Sequence, residues 1–235
     1  MSQKEVKDEP MVDIGSTISK SEQFFTENKK AISTGAIAVA LLLGGFLYYK
    51  YSVVAGASEE AHPSFEKAAE LFSQDSVDLA LKGNKDFEGF EALSESYSNT
   101  PEGNKANYYL AVAYFNQKKY DLALEKIEAF DASGEILPYE KTMLIGDIYS
   151  EKNDYETAIK KYLDAAKSAN NILISPKALT KAAILAEILN RPEDAVKYYE
   201  EVIVYFEDPK FGTEKSKIEK SLGIVKAKVA LKSTK

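Results

Sequence analysis

From Ala31 to Tyr49 the chain reads AISTGAIAVALLLGGFLYY, an apolar run without a charged side chain. Its length matches the roughly 20 residues that a helix needs to cross a hydrocarbon core. After a short stretch over 52–61, read as a linker, apolar residues recur at helical spacing almost to the last residue, with no alternating strand pattern. The pattern predicts an all-α chain, with one transmembrane helix over 31–51 and a helical domain over 62–235.

Lys20, Lys29 and Lys30 precede the apolar run, while Lys50 and then Glu59 and Glu60 follow it. This bias places the N-terminus in the cytoplasm, with Tyr48, Tyr49 and Tyr51 at the outer headgroup level. Ala55-Gly56-Ala57 would suit signal-peptide cleavage, but the leader would be unusually long. A buried core helix would show a polar face, and none is present. On a helix Ala36, Ala40, Gly44 and Tyr48 share one side, a small-residue spacing that lets a second membrane helix approach closely. Residues 1–15 are polar and charge-mixed, and Ile18, Phe24 and Phe25 suggest a surface-lying helix over 16–30.

The helical domain repeats itself. NYYLAVAYFNQKKYDLALEKIEAF places Leu110, Ala111, Tyr114, Tyr120 and Ala123 where KTMLIGDIYSEKNDYETAIKKYLDAA places Ile145, Gly146, Tyr149, Tyr155 and Ala158. KAAILAEILNRPEDAVKYYEEVIVYF follows with Ala182, Ala183, Ala186 and Ala195, an alanine replacing the aromatic at 186. The marker alanines 123, 158 and 195 are spaced close to the roughly 34-residue tetratricopeptide period. Gly146 and its alanine counterparts are expected at close helix crossings, with the aromatic three residues on filling the space between the helices. Repeats are predicted over about 104–138, 139–175 and 176–209, with a divergent one over about 62–103 and a capping helix over 212–233. Ser175 is expected to cap a helix opening at Pro176, and Pro192 to open the next.

Composition narrows the chemistry. The net charge is −7, and lysines alternate with glutamates instead of clustering, which argues against nucleic acid as a partner. The absence of cysteine removes disulfides, thiolate metal sites, cysteine nucleophiles and a lipid-modified cysteine. The single histidine, His62, precedes Pro63 near Glu59 and Glu60 and has no serine-carboxylate constellation around it. No phosphate loop or dinucleotide fingerprint occurs, so neither a catalytic residue nor a cofactor or metal site is expected.

A peptide groove is expected instead, lined by the first helix of each repeat: Tyr108, Val112 and Phe115, then Met143 and Asp147, then Thr180, Ile184 and Glu187. Aromatic, thioether and aliphatic groups together suit an extended or helical apolar peptide.

The segment SKSEQFFTENKK before the apolar run, then DSVDLALKG and YSNTPEGNKANYYLAVAYF, resembles the YfgM-like membrane-anchored tetratricopeptide family across nearly the whole chain. That resemblance implies a single-pass inner-membrane protein whose repeats face the periplasm. It also implies a non-catalytic role beside the SecYEG-type translocon and a membrane-anchored prolyl-isomerase-like chaperone, holding unfolded exported proteins. A structural scaffold in envelope or outer-membrane assembly, without client binding, is the other expectation.

Overall fold

In a computed structural model the described residues are 24–233; the tail over 1–15 and the greater part of the helix expected over 16–30 lie outside them. The chain forms two units, up to Gly56 and from Ala57 onward. In the first, α1 (Lys29–Tyr48) has no buried residue, and a π-helical segment (Tyr49–Val54) follows it. By length and composition this helix can cross a membrane. Ile37, Leu41, Leu42 and Phe46 are all exposed on it.

Residues 52–61, expected as a linker, are helical. The π segment passes to α2 (Ala55–Ser73), and Ala61 is already a core residue. Alanines and glutamates give this stretch good helix propensity, and Ala61, Phe65 and Ala68 provide a buried stripe despite Pro63 inside the helix. Then come α3 (Val77–Lys82), α4 (Phe90–Ser96), α5 (Pro101–Asn116), α6 (Tyr120–Ala129), α7 (Leu137–Glu151) and α8 (Tyr155–Ala169). The chain continues through α9 (Ser175–Ile188), α10 (Pro192–Tyr205), a 3-10 turn (Pro209–Phe211) and α11 (Gly212–Ser233). No strand occurs among the described residues, only an isolated bridge between Gly83 and Glu88.

One turn recurs through the domain and sets its register. Asp75, Lys118, Asn153 and Asn190 are left-handed, with φ of 63°, 61°, 63° and 55°. In each turn the left-handed N–H donates to the carbonyl three residues back, and the following N–H to the carbonyl five residues back. Lys118 thus donates to Phe115 and Lys119 to Tyr114; Asn153 and Asp154 repeat this with Ser150 and Tyr149. This Schellman closure satisfies carbonyls at the end of a first helix and turns the chain into its antiparallel partner. The turn at Asp75 identifies α2 as the first helix of the divergent repeat. Its second helix is broken into α3 and α4 at Gly83, whose φ of 68° and contact with Gly89 leave no room for a side chain.

Two core clusters run along the repeats, one from Ala61 to Ile148 and one from Met143 to Val225. Gly146 sits at a close crossing as expected, but the ring against it is Tyr162 of α8. A Cβ on Gly146 would lie 2.6 Å from Tyr162 Cε1. Tyr149, the aromatic three residues on, is half-buried and touches both clusters. Ser175 does not cap α9 but is its first residue. Its Oγ donates to the Ala166 carbonyl at 2.8 Å, and the Asn171 carboxamide oxygen accepts from the N–H groups of Leu173 and Ile174. Proximity to the end of α8 decides this, because a buried hydroxyl needs its own acceptor.

Candidate peptide groove

The first helices of the repeats, α5, α7 and α9, follow one another through the domain. A cleft of about 310 Å³ opens across them, lined by Phe115, Asp147, Ser150, Tyr162, Lys181 and Ile184 among others. Three of the eight residues expected to form the groove therefore come together: Phe115, Asp147 and Ile184.

Asp147 organises the polar side of this cleft. Its Oδ1 accepts from Tyr162 Oη at 2.5 Å and from Lys181 Nζ at 2.6 Å. Burial first, and then the Asp147 carboxylate, push the Tyr162 phenol well above its ordinary value. That phenol stays protonated and acts as a fixed donor, not as an acid or nucleophile. Ile184, 46% exposed, provides the open apolar wall.

The other expected groove residues are elsewhere. Met143 is 7% exposed and belongs to the core. Tyr108 stacks its ring obliquely on Phe130, with centroids 5.4 Å apart. Val112 is half-buried on α5. Thr180 donates to the Pro176 carbonyl and borders a second cleft of about 370 Å³ with Lys181, Phe206 and Ile218. Glu187 is occupied by Tyr199 Oη at 3.1 Å and Lys228 Nζ at 2.8 Å. The division follows helix geometry: residues four apart share a face only approximately, and Met143, three residues before Gly146, lies toward the side of α7 that packs on Tyr162.

Tyr162 and Lys181 were not foreseen from the sequence. Lys181 had a legible signal, since it lies thirty-four residues after Asp147, one repeat on. Tyr162 had another in Tyr199, which donates to Glu187 as Tyr162 does to Asp147, so a buried phenol of the second helix meets a carboxylate of the first in two successive helix pairs. Tyr114, on a first helix, instead reaches back to Glu91 on α4. Burial and the nearby carboxylates push Tyr114 and Tyr199 each up to about 12.

His62 lies on α2, and its partner is neither Glu59 nor Glu60 but Glu102, whose Oε1 is 3.3 Å from Nδ1. Glu102 also accepts from Ser58 Oγ at 2.6 Å. Burial opposes its charge, yet bonds from Ser58, its own backbone N–H and His62 outweigh that and hold the carboxyl below its ordinary value. Among the described residues no group of three or more acidic or imidazole side chains is arranged to hold a metal ion.

The sequence model of the tetratricopeptide repeat family matches residues 89–135 and 143–210. The match covers α4 to α6 and most of α7 to the 3-10 turn; α2 and α3 lie outside it, and α2 ends in the same turn as α5, α7 and α9. The domain is a tetratricopeptide-type helical repeat, an architecture that serves as a protein-interaction scaffold. A search of curated proteins and a search of solved structures each returned no match.

Proposed function

We propose that the protein is a non-catalytic, membrane-tethered interaction subunit of the Sec protein-export machinery. Its repeat domain would lie on the periplasmic side of the inner membrane and hold a chaperone or an emerging client. The cleft between Phe115 and Ile184, with Asp147 and Lys181 along one side, carries this reading. It offers an apolar wall beside fixed polar partners, which suits a short peptide segment. Tethering raises the local concentration of a weakly held client, so strong contacts are unnecessary.

The resemblance to the YfgM-like family supports a SecYEG-type translocon and a membrane-anchored prolyl-isomerase-like chaperone as partners. The small-residue side of α1, with Ala36, Ala40, Gly44 and Tyr48, is the surface proposed to pack against a membrane helix. No Cβ added at Gly44 would meet another atom within 4 Å.

A mild-detergent pull-down of the tagged full-length protein tests this reading beside two variants, Ile184→Asp and the triple change Ala36→Leu, Ala40→Leu, Gly44→Leu. Recovery of the translocon channel protein should fall in the triple variant, and recovery of unfolded exported clients in Ile184→Asp. Absence of the channel from the wild-type pull-down, with outer-membrane assembly proteins in its place, would favour a structural scaffold.

A further inference from the structure

The two edges of the repeat domain differ. Turns inside helix pairs, around Asp75, Lys118, Asn153 and Asn190, are polar. Two of the loops between pairs carry paired apolar tips: Ile136 and Leu137, after Glu135, are 42% and 44% exposed, and Ile172 and Leu173 are 38% and 56% exposed. From Ser168 to Pro176 no side chain is charged. Exposed Leu122 and Ile188, near the polar turns, stand singly on helices.

The chain joins the domain at the apolar edge. Ser58 donates to Glu102 in the first turn of α5, and Asn104, two residues on, bonds the backbone of Asp131 in the loop that leads to Ile136. Farther along, Tyr205 Oη reaches Asn170 at the start of the next loop. Ser58 is only seven residues beyond Tyr51, the last residue of the expected membrane span, a reach of at most about 25 Å when fully extended.

We propose that this edge is a lipid-contact surface: the tips Ile136–Leu137 and Ile172–Leu173 insert into the headgroup region of the bilayer that anchors the chain. The inference rests on the reading that 31–51 spans a membrane. Short tethering holds the edge near the bilayer, and uncharged aliphatic tips gain by leaving water for its interface.

The chain has no tryptophan, so single introduced ones report without background. Leu137→Trp, Leu173→Trp and, near the opposite edge, Leu122→Trp are made in the full-length protein. Each is reconstituted into vesicles of phosphatidylethanolamine and phosphatidylglycerol carrying lipids brominated near the headgroup. Expected is several-fold stronger quenching at positions 137 and 173 than at 122, with blue-shifted emission. Vesicle flotation and resistance to alkaline carbonate are measured in parallel. Protein that fails to float overturns the membrane anchor and this inference together. Protein that floats, but is quenched equally at all three positions, overturns the lipid contact alone. Emission at 137 and 173 that shifts only on adding a protein partner, without lipid quenching, assigns the edge to that partner and also overturns it.

Discussion

Lys181 Nζ lies 2.6 Å from Asp147 Oδ1, joining the first helix of one repeat to the first helix of the repeat before it. The same carboxylate oxygen accepts from Tyr162 within its own helix pair. Asp147 therefore ties α7 both to its partner α8 and to its successor α9. Glu187 does the same one repeat later, taking Tyr199 from α10 and Lys228 from α11. In a repeat protein, where stability is largely a sum of unit and interface contributions, such a residue couples the two.

Loss of Asp147 should cost far more than loss of Lys181. Asp147→Ala leaves the buried Tyr162 hydroxyl without its acceptor, a penalty of about 1–3 kcal/mol. Lys181 is 42% exposed in its side chain, so Lys181→Met should cost less than about 1 kcal/mol. Urea unfolding of both variants checks the order, and equal losses would contradict the assignment of Asp147 as the hub.

Gly146 and Gly223 should respond to alanine with opposite signs. Both are helical, so alanine gains up to about 1 kcal/mol in propensity at either site. At Gly223 nothing lies within 4 Å of the new methyl group, and the gain should appear in full. At Gly146 the methyl would meet Tyr162 at 2.6 Å, and the Asp147 bond keeps that ring from moving. Overpacking of this kind costs about 1–3 kcal/mol, so Gly146→Ala should be the less stable variant in thermal melts.

Much of this was legible in advance because repetition amplifies weak signals. Alanines 123, 158 and 195 are all fully buried, and Gly146 marks a close crossing. The divergent repeat was harder to read, because its register rests on the backbone conformation of Asp75, which has no side-chain signature shared with Lys118, Asn153 and Asn190. The groove was legible only in part. Periodicity names the helix and an approximate face, but whether Met143 points outward depends on how far α7 is rotated against α8, a packing outcome set by Gly146 and Tyr162.

Alkaline titration should reveal the buried tyrosines. Tyr114 and Tyr199 are pushed up to about 12, above their ordinary value of 10. A raised pKa means that folding favours the protonated phenol, so this stability is complete below pH 10 and is lost as pH rises toward 12. Phenolate absorbance should rise in two stages, with the later stage coinciding with loss of helical circular dichroism. Tyr199→Phe should reduce the later stage.

At acid pH the sign reverses for Glu102. Its carboxyl is held below the ordinary 4.5, so its contribution is present above that value and disappears as pH falls through the lower, folded value. Glu102→Gln should therefore be less stable than wild type at neutral pH and approach it in acid. Melting temperatures of both proteins across this range measure the convergence.

Lys118 offers the most direct test of the recurrent turn. Three of the four left-handed positions hold Asp or Asn, whose short polar side chains tolerate this conformation, but Lys118 adopts φ of 61° without that advantage. Glycine removes the steric penalty and is the usual residue at this helix-ending position, so Lys118→Gly should stabilise the domain by up to about 1 kcal/mol. Asn153→Ala should destabilise it by a similar amount, since alanine has neither glycine's freedom nor asparagine's tolerance at φ of 63°. If Lys118→Gly were instead destabilising, the turn at 118 would not share the backbone of the turn at 153, and the register that joins the first repeat to the others would fail with it.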